Sequence, residues 1–147
     1  MKIYLDLCVY NRPFDDQSQP RIMLEALCFI IIMAKVSSGD IKIVNSFALE
    51  YENSKNSKIE NGIVIADMLS IASEFVVYSG DIQERAEQFE NEGITGIDAL
   101  HIACAEIAKA DYFITCDDTL IKKINSVEGF KIKTLTILEF INKEVFK

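Results

Sequence analysis

Asp111-Tyr112-Phe113-Ile114-Thr115-Cys116-Asp117-Asp118 sets a short run of strand-type residues directly before two carboxylates. The start of the chain has the same form: Ile3-Tyr4-Leu5 is apolar, and Asp6 follows it. A strand buried on both faces cannot hold an ionised side chain in its interior, so these acids belong at strand ends. Between the two runs, strand-like and helix-like segments alternate. Lys2–Leu7 reads as a strand stopped by a turn at Asn11-Arg12-Pro13, and Arg21–Val36 as a helix apolar nearly all round, hence buried or covered by a partner. Ile41–Val44, Phe75–Tyr78, Tyr112–Thr115 and Ile132–Leu135 are the remaining strands. Helices are expected at Phe47–Asn53 with Ser46 as N-cap, Asn61–Ser73, Asp81–Asn91, Gly96–Lys109 after Thr95, Thr119–Asn125 and Ile137–Lys143. Strands joined through helices of this length need crossover connections, so the class is α/β, a three-layer α/β/α arrangement with a mainly parallel five-stranded sheet.

The chain has 147 residues, half of them hydrophobic, with 6 Gly and 2 Pro. This excludes a disordered or collagen-like chain and fits one domain spanning residues 1–147, long enough to bury roughly two-thirds of its unfolded surface. Four cysteines, Cys8, Cys28, Cys104 and Cys116, lack any CxxC spacing, which argues against zinc and for small buried thiols in a reducing compartment. Asp6 interrupts the place where a signal peptide needs its apolar stretch, and the run from Leu27 to Ala34 is far short of the ~20 residues that span a bilayer. A cytoplasmic protein with no membrane contact is expected. The net charge of −8, from 23 acidic against 15 basic side chains, argues against a general binder of polyanions.

The position of the acids is more informative than their number. Asp6 and Asp117 end strands, Asp98 opens a helix, and Glu50 and Glu52 follow the second strand; two apart on a helix, only one of that pair can face a shared site. In open parallel sheets ligands bind beyond the carboxyl ends of the strands, near a topological switch point. Two carboxylates ~4 Å apart repel by about 4 kcal/mol at an effective dielectric of 20. A cluster of four therefore takes up protons or binds a cation, and an all-oxygen set suits Mg²⁺ or Mn²⁺. Metal-assisted phosphodiester hydrolysis is the chemistry such a site supports.

Four segments, Ile3–Val9, Ser46 with Glu52 six residues on, Gly96–Ala103 and Asp111–Asp117, resemble in order and interval the motif regions of PIN domains, and together they span nearly the whole chain. Asn11–Asp16 also resembles a turn found in one bacterial and archaeal subgroup of that family. The resemblance implies a metal-dependent ribonuclease acting on single-stranded RNA, with Asp6, Glu52, Asp98 and Asp117 as catalytic metal ligands and Glu52 favoured over Glu50. It implies support from Thr115 and Ser46, with Asp118 as an outer acid. Many small members are toxins of toxin–antitoxin modules, so a protein antitoxin and a homodimer are the expected partners. One departure stands out: the family usually has Thr or Ser after its first Asp, and here that residue is Leu7. Its missing hydroxyl keeps a catalytically silent PIN-like module, binding RNA or protein, as the alternative. A flap-type DNase or a receiver-like domain is a weaker fit; a receiver needs a Lys at the end of a late strand, which Thr134–Ile137 lacks.

The remaining residues have plainer expectations. His101, the only histidine, is expected to pack beside the site as a helix residue, since a single imidazole lacks a second nitrogen or sulfur ligand. Tyr10 and Phe14 are candidates for base stacking, with core packing favoured. Arg12, Arg21, Lys55, Lys58, Lys122 and Lys123 flank the expected crevice, and Arg12, just beyond Asp6, is the first choice for substrate binding.

Overall fold

Lys2–Leu5 forms β1, with Ile3, Tyr4 and Leu5 fully buried, in a computed structural model that describes residues 1–147. The strand stops earlier than its apolar pattern suggests. The Asp6 carboxylate turns back to accept a hydrogen bond from the Leu7 N–H (2.8 Å) and caps a short helix, α1 (Leu7–Asn11). The turn expected at Asn11-Arg12-Pro13 is thus a helix end running into a 3-10 turn at Arg12–Phe14, because a carboxylate at the cap satisfies an otherwise unpaired N–H. The chain continues through α2 (Pro20–Ser37), β2 (Lys42–Ser46), α3 (Phe47–Ser54), α4 (Ile59–Leu69), β3 (Glu74–Val76), α5 (Gly80–Asn91) and α6 (Gly96–Ile107). It ends with β4 (Tyr112–Thr115), α7 (Asp118–Asn125), β5 (Lys133–Thr136) and α8 (Ile137–Phe140), the last running into a wider π turn at Ile141–Val145.

All five strands are parallel, in the order β3-β2-β1-β4-β5. The chain builds outward from β1 to β2 and β3, then returns to lay β4 and β5 on the other side. The switch point therefore lies between β1 and β4, and Asp6 and Asp117 stand at the ends of these two strands. Helices cover both faces: α5 packs on α6 and α6 on α3, while α2 packs on α8. This is the three-layer α/β/α arrangement expected from the alternation of elements. Tyr4 stacks on Phe113 of the neighbouring strand with ring centroids 5.7 Å apart. Phe29, Phe89 and Phe140 fill the layers between sheet and helices.

The apolar helix α2 divides into two faces. Ala26, Cys28, Phe29 and Ile32 are buried, whereas Met23, Leu24, Leu27 and Ile30 remain about half exposed. The run from Phe29 to Met33 is core on one side only. No helix of the chain is long and apolar enough to cross a membrane.

Helix α2 also buries a charge. Glu25 is completely buried, and its Oε1 takes hydrogen bonds or ion-pair contacts from Arg12 Nε (3.2 Å) and Arg21 Nε (3.4 Å), leaving Oε2 without a partner. Removing one member of a buried pair strands the other charge, so Arg12→Ala is expected to cost about 3 kcal/mol in urea unfolding. Arg12→Met combined with Glu25→Leu should cost clearly less, because neither charge then remains to be desolvated. Equal losses in the single and double variants would show that the pair does not carry this energy.

Candidate metal centre

Asp6 is the most confined acid of the site, with its side chain only 9% exposed. Leu7 N–H donates to Oδ1 at 2.8 Å, Thr115 Oγ1 donates to Oδ2 at 2.8 Å, and the Cys8 thiol approaches Oδ2 at 3.4 Å. Residue 7 contributes only its backbone N–H, and the hydroxyl on Asp6 comes from the threonine that ends β4. Donors on both oxygens fix the plane of the carboxylate. Thr115 Oγ1 in turn accepts the Asp117 N–H (3.1 Å), so one side chain ties the ends of β1 and β4 together.

Glu52 reaches the same place from α3. Ser46, the last residue of β2, caps α3 by accepting the Leu49 N–H (3.1 Å), and Glu52 lies on the second turn. Glu50 turns away and accepts a bond from Asn45 (3.2 Å). Glu52 Oε1 is 2.7 Å from His101 Nε2, and that nitrogen is 3.8 Å from Asp6 Oδ1. One oxygen each from Asp6 and Glu52 and one nitrogen of His101 all lie within 4.8 Å of one another.

His101 belongs to a buried chain of polar groups. Its Nδ1 is 2.7 Å from the Tyr4 hydroxyl, which is 2.7 Å from Ser46 Oγ. An ionised carboxylate can only accept, so Nε2 carries a proton towards Glu52. With neutral imidazole, Tyr4 then donates to Nδ1 and Ser46 donates to Tyr4; with imidazolium the two hydroxyl bonds reverse, and the three contacts are kept. Burial disfavours the imidazolium, but the Glu52 bond and the charges of Asp6, Glu52 and Asp98 outweigh it and hold the His101 pKa above its usual value. His101 therefore packs beside the site as expected, but the bond that anchors Glu52 has no counterpart in sequence spacing. The available signal is that Tyr4, in a buried strand, needs a hydroxyl partner.

Asp98 and Asp117 border this group without joining its tightest set. Asp98 lies in the first turn of α6, half-buried, and makes no hydrogen bond through its side chain. Burial, then the charges of Asp6, Asp117 and Glu52, push its pKa up to about 6, against the opposing effect of His101. Asp117 is exposed and caps α7 by accepting the Leu120 N–H (3.1 Å) on Oδ1, leaving its other oxygen free. Asp118 is committed elsewhere: Arg21 grips it through two nitrogens, at 2.7 and 3.0 Å, and holds its pKa below the usual carboxylate range. Arg12, the first choice for substrate binding, has its guanidinium paired with Glu25 (3.2 Å) and with Asp15 (2.8 Å). Cys8 is kept a thiol by its bond with Cys116 and by burial, which raise its pKa well above the usual value. Tyr10 is core, fully buried against Phe29 with ring centroids 5.6 Å apart, and Phe14 is 36% exposed at the 3-10 turn.

The raised pKa of Asp98 has a consequence for stability. The folded state binds its proton more tightly than the unfolded state, so stability is lost as pH rises from about 4 to about 6 and stays lost above that. Asp98→Asn is expected to stabilise the metal-free protein at pH 7.5 by about 1–2 kcal/mol, after discounting for partial exposure, and to change little near pH 4. Thermal melts at the two pH values check this; an Asn variant less stable at pH 7.5 would contradict it. Excess Mg²⁺ should close the gap by raising the melting temperature of the wild type, if Asp98 holds the ion.

No family model matches the sequence, and no curated protein matches it. Solved structures do. A chain of the VapBC2 complex from Rickettsia felis, crystallised with a DNA fragment from its promoter, aligns with a TM-score of 0.58 at 17% identity, covering 92% of this chain and 98% of that one. PAE2754 from Pyrobaculum aerophilum aligns with a TM-score of 0.55 at 12% identity over 100% of both chains. Identity this low speaks for the fold alone, and it agrees with the all-parallel sheet and its switch point: the chain has a PIN-like fold.

Proposed function

We propose that the chain is a divalent-metal-dependent endoribonuclease, acting as the toxin of a toxin–antitoxin module. The observation that carries the reading is the approach of Asp6, Glu52 and His101 within 4.8 Å at the switch point, with Asp98 raised to about 6 by burial and by the acids around it. Carboxylates that repel one another in this way are short of a positive charge. The donor set fits Mg²⁺ or Mn²⁺: it is mostly oxygen, it contains no thiolate, and the one imidazole nitrogen facing it is already bonded to Glu52.

On this reading Asp6, Glu52, Asp98 and Asp117 hold the ion. When bound, it polarises a phosphoryl oxygen and makes an attacking water more acidic. The protein's own share is positional. Leu7 N–H and Thr115 fix Asp6, and His101 fixes Glu52 through the chain that ends on Ser46. Asp98 can ligate only once deprotonated, so proton loss from it is coupled to loading. The toxin role is supported by the sharing of this fold with a chain of VapBC2 and by the half-exposed apolar face of α2, which suits a protein partner.

The test compares wild type with Asp98→Asn on single-stranded RNA in Mg²⁺, Mn²⁺ or chelator. Cleavage should need the ion and fall at least a hundredfold in the variant. Cleavage that survives chelation, or that Asp98→Asn retains, would sink the proposal. Below about pH 6 the apparent Mg²⁺ affinity of the wild type should drop by up to tenfold per pH unit, as protons compete for Asp98. Calorimetric titrations across this range measure it, and a flat profile would remove Asp98 from the ligand set.

A further inference from the structure

A cavity of about 530 Å³ opens beside the acidic centre, and Glu52 and Leu7 are among its lining residues. One wall is the end of α1 and the 3-10 turn, with Asn11 and Phe14. The other is the connection from α3 to α4, with Lys55 and Lys58. Asn56 bridges the walls by donating to Asn11 Oδ1 at 3.2 Å, which leaves the Asn11 amide N–H groups free. Only two of the ten lining residues are hydrophobic, so the cavity does not suit an apolar helix.

Resting on the nuclease reading above, we propose that this cavity seats the nucleotide next to the scissile phosphate of a single-stranded RNA. Lys55 and Lys58 hold its backbone phosphates, and Phe14 stacks on its base. Charge selects these lysines. Arg12 and Arg21 stand as near to the centre in sequence, yet both are committed to Glu25, Asp15 or Asp118. Lys55 and Lys58 make no ion pair and are exposed; Lys55 Nζ rests 5.4 Å from the Tyr51 ring centroid, within reach of the opening. A phosphodiester chain leaving an acidic centre follows unpaired cations; Lys55 and Lys58 line the cavity, whereas Lys122 and Lys123 on α7 lie outside it. Its volume lies in the range of small-ligand sites, about 300–1,000 Å³, so it takes a nucleotide rather than a folded partner. Asparagine amides pair with base edges and ribose hydroxyls, and a half-exposed phenylalanine at the rim offers a face to an unstacked base.

The test measures binding of a short labelled single-stranded RNA by fluorescence anisotropy in the Asp98→Asn background, which holds cleavage off. Lys55→Gln with Lys58→Gln should weaken binding about tenfold and flatten the slope of log K against log salt by about 1.4, or ~0.7 for each phosphate no longer neutralised. Phe14→Ala should weaken it about tenfold and Phe14→Tyr should restore it. Lys131→Gln with Lys133→Gln, near the start of β5 at the opposite end of the sheet, makes the same change in net charge and should have no effect. Equal losses in the two lysine pairs, or none in the first, would overturn the proposal. So would displacement of the RNA by poly-glutamate at matched charge, or equally tight binding of single-stranded DNA of the same sequence. If wild-type protein cleaves no RNA under any ion while the Lys55, Lys58 and Phe14 effects appear, the nuclease reading fails and the binding site stands.

Discussion

The placement of Asp6 constrains everything around it. A carboxylate at the end of the central strand, nearly sealed from water, is tolerable only if donors surround it or a cation offsets it. The fold supplies donors from its own next residue and from the parallel strand beside it, through Leu7 N–H and Thr115. Both depend on the β1–β4 register, in which Leu5 stands opposite Ile114 and Asp6 N–H bonds Ile114 O at 2.9 Å. A shift of one residue would send the Thr115 hydroxyl to the other face of the sheet and leave Oδ2 of Asp6 short of its strongest donor. Register, cap and charge are therefore one requirement here.

A second consequence is that the core is not purely apolar where it meets the site. Ser46, Tyr4 and His101 are each fully buried and link β2, β1 and α6 before Glu52 closes the line from α3. Such a chain is costly if any member is unpaired and rigid when all are paired. Its contacts persist with the imidazole neutral or charged, because the two hydroxyls can reverse direction together. Glu52 is thus held whichever way the proton on His101 settles, while Asp98, with no hydrogen-bond partner for its side chain, carries the repulsion of the cluster.

Much of this was legible in the sequence, for identifiable reasons. Alternating apolar runs and helical periods pointed to the class, Tyr112–Thr115 matched its strand end to end, and the strand-end acid Asp6 lies within 4.8 Å of Glu52 and His101. What escaped was tertiary. The extension of β1 to Leu7 failed because Asp6 acts as a helix cap, which an apolar pattern does not register. The reading of α2 as buried or covered met a helix whose chain covers one face only. Arg12 was chosen by its nearness to Asp6 along the chain, yet α2 presents a buried Glu25 to it across a turn. His101 was placed correctly as a packed residue, but its bond to Glu52 joins elements 49 residues apart, and no spacing rule spans that distance.

The distribution of charge, more than its sum, then decides what an acidic chain can bind. A net charge of −8 suggests exclusion of polyanions, but screening confines each charge to roughly 8–10 Å at moderate salt, so a ligand responds to the local field. Among the basic side chains expected around the centre, two pairs contrast. Arg12 and Arg21 neutralise acids of the chain itself and contribute structure, leaving little attraction for anything outside. Lys55 and Lys58 have no acid to neutralise, and they stand on the side of Glu52 where the surface opens. The acids of α5, by contrast, lie on a helix packed against α6, with Asp81, Glu84 and Glu87 facing solvent. An anion that approaches along the edge bearing Lys55 and Lys58 meets unpaired cations, and that edge ends at the carboxylates a divalent ion would neutralise.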